Sequence, residues 1–317
     1  MTRMRNGHSL AGRQIPSQGA QLAHRAGLCR PGPARHGPAL SHGPALSLVL
    51  FCLLLAGCSG RAGQNARNTR APKAPPAAPQ IILDAGYQAL EAQQYNEAIA
   101  KAEEFLSGTP HGPGSAEALY LKGRGFEGKN AAGVGAEEAR QNLQSARTAY
   151  IEALEQNPKQ PLESYIHASL GNVAYFQDDY QTAVAQLNAA YDKLDSNDIK
   201  AWVLYRIGLS QQRLGLFQQA DQTFAAVQEF HPNTVPAERA REHRGARAFY
   251  VQLATFSSAP GADGAAAELR RQGVAAGRVV DPQGRSLLRV GPIASYNQAQ
   301  FIKTRFADKY PDALILP

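Results

Sequence analysis

Apolar residues change their spacing along the chain, and each change marks a different kind of segment. A continuous apolar run ends at Gly57, residues 59–80 contain no aromatic or branched aliphatic side chain, residues 81–235 carry apolar positions at helical spacing, and strict alternation begins near residue 248. Spacings of three and four keep side chains on one helix face, whereas alternation is typical of a strand. The pattern predicts a multidomain chain in which an all-α region precedes a small α+β domain.

The N-terminal segment, residues 1–57, has the composition of an export signal. It holds six arginines and no Asp, Glu or Lys, and its apolar run of 13 residues spans Ala45 to Gly57. A membrane-spanning helix needs about 20 apolar residues, so this run is too short to span the bilayer. A basic region, a short apolar core and small residues at its end predict a secretory signal; the alternative is a buried core helix.

A single cysteine follows this run directly. Leu55-Ala56-Gly57-Cys58 resembles the lipobox of bacterial lipoproteins, and the resemblance implies cleavage before Cys58 and acylation of its thiol. The alternative is an ordinary cleavage site with an incidental cysteine. In the sorting scheme of such lipoproteins, Ser59 implies an outer-membrane lipoprotein that faces the periplasm and is held at the membrane by its lipid anchor.

Cleavage at this site changes the charge of the protein. The whole chain carries 33 basic and 26 acidic residues, and removal of six arginines leaves 27 minus 26, or +1. The apparent basicity therefore gives no support for a nucleic-acid partner. Residues 58–80 are predicted to be an acylated cysteine and a disordered linker, because such a composition cannot bury enough apolar surface to offset the entropy of ordering.

Residues 81–235 contain about four repeating units. Each unit combines a glycine, an alanine and, in most units, an aromatic residue at fixed separations, and a proline closes three of the four. The glycines are Gly86, Gly123, Gly171 and Gly208, and the matching alanines are Ala98, Ala146, Ala183 and Ala220. The second unit is interrupted by an insertion around residues 130–140, which lengthens a helix or bulges a loop. This spacing resembles the tetratricopeptide repeat (TPR), and the resemblance implies a solenoid of antiparallel helix pairs.

The resemblance also implies a partner-binding groove on the first helix of each pair. The groove positions of the third and fourth units hold Tyr165, Asn172, Tyr175, Trp202 and Tyr205. Two interpretations stay open at this point: the side chains form a groove for a protein partner, or they pack between repeats. Residues 236–246 predict a short helix or linker that caps the solenoid.

The C-terminal segment, residues 247–317, predicts the order βαββαβ. This order corresponds to a four-stranded antiparallel sheet with two helices on one face, as in ferredoxin-like and RNP-like folds. In the first strand Phe249, Val251 and Leu253 are expected to face the helices, whereas Tyr250 and Gln252 are expected on the open face together with Ala254. In the third strand Leu287 and Arg289 are expected on that same open face.

The start Tyr250-Val251-Gln252-Leu253 and the later Arg289-Val290-Gly291-Pro292 resemble the SPOR domain. The resemblance implies binding to peptidoglycan, specifically to glycan strands that have lost their stem peptides, as occurs at the division septum. The expected glycan-binding residues are Tyr250, Gln252, Leu287 and Arg289. The fold also suits an RNA-binding sheet, but export and the absence of paired exposed aromatics argue against it.

Nothing in the sequence indicates catalysis, a cofactor or a metal. The four histidines that follow Cys58 lack metal-ligand spacing, and no nucleophile or phosphate motif is found. We therefore expect no enzyme but a lipid-anchored periplasmic adaptor that binds peptidoglycan through its C-terminal domain and a protein through its groove. Two alternatives are a TPR lipoprotein for outer-membrane protein assembly and a peptidoglycan-cleaving enzyme with an unrecognised site.

Overall fold

The structure of the chain is a computed structural model that describes residues 79–131 and 133–317. The expectations for residues 1–57, for Cys58 and for the linker up to residue 78 lie outside the described residues. Within the described ranges, every helix is either too short or too polar to cross a membrane.

The solenoid consists of successive helix pairs. Its helices are α1 (Pro79–Glu91), α2 (Tyr95–Gly108), α3 (Ser115–Ala131), α4 (Ala136–Glu155), α5 (Leu162–Phe176), α6 (Tyr180–Tyr191), α7 (Asn197–Arg213), α8 (Phe217–Phe230) and α9 (Val235–His243). Successive helices pack against one another, and α1–α2, α3–α4, α5–α6 and α7–α8 correspond in position to the four units read from the sequence. The helices of the second unit have 17 and 20 residues, and the longer one, α4, begins within the inserted stretch.

Small residues allow the two helices of a pair to approach closely. A methyl group placed at Gly208 of α7 would lie 2.6 Å from the ring of Phe224 in α8, and Phe224 is fully buried and has no room to move. Side-chain caps fix the starts of α6, α7 and α9; at α6, Asp179 accepts a hydrogen bond from the Thr182 backbone N–H at 3.2 Å. The repeated glycines and alanines thus determine how closely the solenoid helices pack.

Helix α9 covers the end of the solenoid. Thr234 caps its start, and its buried Ala237 and Ala240 pack against the apolar cluster that contains Trp202 and Phe224. The polar helix predicted over residues 236–246 is present, although it ends at His243.

The C-terminal domain has the predicted βαββαβ order. Its elements are β1 (Phe249–Phe256), α10 (Ala259–Arg271), β2 (Ala276–Val280), β3 (Ser286–Ile293), α11 (Tyr296–Arg305) and β4 (Leu314–Leu316). The four strands form one antiparallel sheet in the order β2-β3-β1-β4. Helices α10 and α11 pack against the sheet around a core that includes Phe249, Val251, Leu269, Leu288 and Ala299.

Two bulges interrupt the pairing of β1 with β3. One adds a residue to β3 near Gly291, and the other adds a residue to β1 near Leu253. Gly291 has φ +134°, and a Cβ there would lie 2.8 Å from the Tyr250 ring and 2.9 Å from the carbonyl oxygen of Phe249. Glycine is therefore required at this position both for its backbone conformation and for the close approach of β1.

The sheet domain contacts the end of the solenoid directly. The ring of Tyr296 at the start of α11 lies under the Arg213 guanidinium, with 3.6 Å between the arginine Cζ and the ring centroid. The same ring contacts Tyr180 of α6 at 5.8 Å, and Phe217 of α8 contacts Phe249 of β1 at 5.3 Å. An aromatic and cationic interface therefore fixes the sheet domain against the last two helix pairs.

Candidate functional site

The sheet has one face covered by helices and one open face. Phe249, Val251 and Leu253 are buried on the helix side, whereas Tyr250 and Gln252 are partly exposed on the other side. This arrangement agrees with the alternation expected from the sequence.

One further expectation for β1 is wrong. Ala254 was expected on the open face, but it pairs with Leu288 and packs against the domain core. The reason is the bulge at Leu253, because one extra residue moves every later side chain of the strand to the opposite face. Thr255 takes the place on the open face instead, directly opposite Leu287.

Leu287 does not offer the exposed surface that the sequence suggested. Leu287 lies on the same face of β3 as Arg289, but its side chain is only 4% exposed. Thr255 of β1 and Val279 of β2 are its partners in the two neighbouring strands, and their side chains stand beside it. The Leu287 side chain is therefore part of the packing of the sheet and is not exposed for contact with a glycan.

Gln252 and Arg289 form the polar centre of the open face. They are cross-strand partners, and Arg289 Nη2 lies 3.5 Å from Gln252 Oε1. Arg289 Nε is buried and has no hydrogen-bond partner within the described residues. An amide beside a guanidinium with a free donor suits a ligand that carries carbonyl, acetamide or carboxylate groups, and the partly exposed Tyr250 supplies an adjacent aromatic surface.

The polar centre continues into a surface cleft that sequence reasoning missed. Gln252 and Thr255 of β1 line it together with Tyr310, Asp312 and Leu314. Tyr310 and Asp312 lie in the segment between α11 and β4, and Leu314 is the first residue of β4. The β1–β4 pairing brings them beside β1, which is a long-range contact that local sequence patterns do not reveal.

The five residues expected in the solenoid groove are all buried. Tyr175 and Tyr205 belong to the aromatic core of the last units, where Tyr175 contacts Tyr180 at 5.5 Å and Tyr205 contacts Phe224 at 5.9 Å. For these two side chains, packing between repeats is the correct interpretation. The reason is close packing of the neighbouring helix pairs and of α9, whose His243 ring lies against Tyr205.

The other three expected residues line a cavity of about 80 Å³ between the second, third and fourth units. Tyr165, Asn172 and Trp202 form part of its wall. Charged side chains that the sequence analysis did not single out complete it: Arg124, Glu127 and Arg206.

A hydrogen-bond network fixes the acidic side of this cavity. Glu127 accepts from the Tyr150 hydroxyl at 2.8 Å and from Asn172 Nδ2. Arg124 donates to the Tyr120 hydroxyl at 3.0 Å and lies 3.7 Å from Glu127. Burial raises the pKa of Tyr150, so this phenol stays a neutral donor at physiological pH.

The fold has two parts, a solenoid of helix pairs and a small α+β domain. Comparison with family models matches residues 245–317 to the SPOR domain. This part of the chain is a SPOR domain, and the preceding helices form the solenoid of helix pairs. SPOR domains bind peptidoglycan.

The helical part is also similar to solved structures. A thermophilic TPR protein of Thermus thermophilus, TTC0263, matches with 16% identity and a TM-score of 0.43 over 53% of this chain and 82% of its own. YrrB, described as a TPR protein with an unusual peptide-binding site, matches with 18% identity and a TM-score of 0.39 over 52% and 78%. MamA matches with 16% identity and a TM-score of 0.40 over 75% and 98%. A search of curated proteins found no significant match.

Proposed function

We propose that this protein is a lipid-anchored periplasmic adaptor. Its SPOR domain binds glycan strands stripped of stem peptides, as found at the division septum, and its solenoid binds a protein partner. The observation that carries the proposal is the SPOR domain at residues 245–317, whose open sheet face carries the polar pair Gln252 and Arg289. The resemblance of residues 55–58 to a lipobox supports the anchor at Cys58.

The chemistry of the open face suits such a glycan. A sugar ring presents an apolar side to an aromatic ring, and its acetamide groups need donors and acceptors, which Tyr250 and Gln252 supply. Arg289 suits the lactyl carboxylate of muramic acid. The domain also carries 9 basic and 5 acidic residues between 247 and 317, or +4, which favours an anionic polymer.

A binding assay with purified cell-wall sacculi tests this function. The full chain is expected to sediment with sacculi treated with an amidase and to bind intact sacculi much less. Arg289→Met is expected to weaken binding about tenfold or more, because a hydrogen bond to a charged group contributes about 1.5–3 kcal/mol.

Arg278→Met is the matched control. Arg278 lies in the neighbouring strand β2, where it pairs with Leu288 and is hydrogen-bonded to Asp263 of α10 at 3.0 Å, on the helix side of the sheet. Equal binding to intact and treated sacculi, or equal losses in the two variants, contradicts glycan recognition by the open face. Labelling with a palmitate analogue, compared between the wild type and Cys58→Ala, tests the anchor separately.

A further inference from the structure

The cavity in the solenoid holds a buried arginine with two N–H groups that have no acceptor within the described residues. Arg206 of α7 is 3% exposed, and its Nε and Nη1 atoms have no hydrogen-bond partner within the described residues. Its guanidinium carbon lies 4.2 Å from the ring centroid of Tyr175 and 5.0 Å from that of Phe176. The rings support the cation from one side and leave these two donors for another group.

The second arginine of the cavity, Arg124, differs from Arg206 in having a carboxylate within reach of its guanidinium. Arg124 has an oxygen partner in Tyr120 and a carboxylate in Glu127, and these neighbours, together with Tyr150, outweigh burial and raise its pKa. At Arg206 burial dominates and lowers the pKa. Tyr175 is a hydrogen-bond partner of Arg206, but burial of a charged group with two unsatisfied donors is costly, so an anion that accepts from Nε and Nη1 would be strongly stabilised.

The cavity offers an unpaired acceptor as well. Asn172 donates through Nδ2 to Glu127, and its Oδ1 atom is buried without a partner among the residues that the structure describes. A ligand that satisfies both residues must combine an anionic acceptor with a nearby N–H donor. An amino-acid residue within a peptide has both, in a side-chain carboxylate and a backbone amide.

We propose that the cavity receives the aspartate or glutamate side chain of an internal segment of a partner polypeptide, with its carboxylate accepting hydrogen bonds from Arg206 Nε and Nη1 and a backbone N–H of the segment donating to Asn172 Oδ1. This inference rests on the proposed function of the solenoid as a protein-binding region. It adds the chemistry of the partner and the residues that recognise it.

The size and lining of the cavity favour a side chain over a chain terminus. About 80 Å³ is available, and apolar walls from Leu187, Ile199 and Trp202 surround the charged end. An acidic side chain brings its carboxylate on one or two methylene groups and leaves the peptide backbone at the mouth of the cavity. A terminal carboxylate would require backbone and side chain of the last residue to enter together.

The test uses the full chain and an array of peptides, about seven residues long, that are acetylated at the N-terminus and amidated at the C-terminus. Each pair of peptides differs only by Glu or Gln, or by Asp or Asn, at the central position. The wild type is expected to prefer the acidic member by about tenfold to a hundredfold, as a charge-assisted hydrogen bond predicts. Arg206→Gln is expected to reduce this ratio to about one, and Arg206→Lys to keep part of it.

Arg147→Gln is the control variant. Arg147 is a partly exposed arginine of α4 that bonds Gln177 and Asp179 and does not line the cavity, so its loss is expected to leave the ratio unchanged. A second arm uses peptides with a central Gln and a free C-terminal carboxylate. Thermal melts of each variant establish that it is folded, and the comparison of acidic with amide peptides on the wild type needs no variant.

The outcomes distinguish the acidic-segment inference from the broader proposal that the solenoid binds a protein. Peptides that bind without an acidic preference, or with a preference that Arg206→Gln leaves intact, overturn the acidic-segment inference and leave the protein-binding role standing. Tighter binding of free-terminus peptides also overturns it, in favour of a terminal carboxylate. If no peptide binds, both the acidic-segment inference and the proposed protein-binding role of the solenoid fail. If Arg206→Gln also loses binding to sacculi, the cavity binds the glycan instead.

Discussion

Tyr296 is expected to hold the SPOR domain against the solenoid. Its ring lies 3.6 Å from the Arg213 guanidinium carbon, 5.8 Å from the ring of Tyr180 and 5.5 Å from the ring of Phe249. Arg213 and Tyr296 are partly buried, and such a cation–π contact contributes about 1–2 kcal/mol, with about 0.5–1.5 kcal/mol from an aromatic pair beyond area burial. Tyr296→Ala is therefore expected to lower the free energy of unfolding by about 2–4 kcal/mol.

Urea unfolding followed by the fluorescence of Trp202, the single tryptophan of the chain, and by circular dichroism measures this change. Small-angle scattering of the variant is expected to show a larger radius of gyration, because the SPOR domain is then free to move away from the solenoid. A double-mutant cycle between Arg213→Met and Tyr296→Leu isolates the cation–π contact, with an expected coupling energy of about 1–2 kcal/mol.

Phe301→Ala is the matched control, since Phe301 lies on the same helix α11 and is 66% exposed. Its removal is expected to change stability by no more than about 0.5 kcal/mol. If the Tyr296 variant is no less stable than the Phe301 variant and its scattering curve equals that of the wild type, the interface does not fix the domain.

Two further predictions concern the stability of each part. Gly291→Ala is expected to lower the free energy of unfolding by about 2–4 kcal/mol in urea melts, because it adds a clash with β1 to a strained backbone. Gly284→Ala is the control, since Gly284 also has positive φ but has open space around it. Its free energy of unfolding is expected to fall by about 1 kcal/mol. Burial and the nearby charges of Arg213 and Arg239 lower the pKa of His243 to about 4. Between about pH 6.5 and pH 4 the unfolded chain therefore binds a proton that the folded chain excludes. The free energy of unfolding is expected to fall by up to about 3 kcal/mol as the pH drops through this range. Melting temperatures measured across this range are expected to decline less steeply in His243→Gln, and parallel curves for variant and wild type would contradict this assignment.

The order of elements was predictable from the sequence because it depends on local periodicity. Helical spacing with repeated small residues gave the four helix pairs, and alternation gave the βαββαβ order. The bulge at Leu253 was not predictable, since no proline or glycine marks it, and it alone placed Ala254 on the wrong face. A sheet face can therefore be assigned from alternation only up to the first irregularity in the ladder.

The cavity was predictable in part. The spacing rule that selected Asn172 in the third unit selects Tyr120, Arg124 and Glu127 when it is applied to the second unit, and all three line the cavity. Arg206 lies one residue away from a groove position of its own unit, so the rule excludes it. Its burial among Tyr175 and its neighbours is a result of packing between units, which a single-unit pattern does not contain.

The two binding surfaces are connected by a continuous set of ring contacts. From Arg206 the contacts run to Tyr175 at 4.2 Å, to Tyr180 at 5.5 Å, to Tyr296 at 5.8 Å and to Phe249 of strand β1 at 5.5 Å. Strand β1 also carries the polar centre of the open sheet face, so packed side chains join the cavity to that face. If the proposed function holds, this connection limits the distance and orientation between the two bound ligands, and a partner at the cavity is held at a defined position relative to the glycan strand. The gain in effective concentration is then specific to partners of matching geometry, whereas a flexible linker between the modules would extend it to any partner within reach.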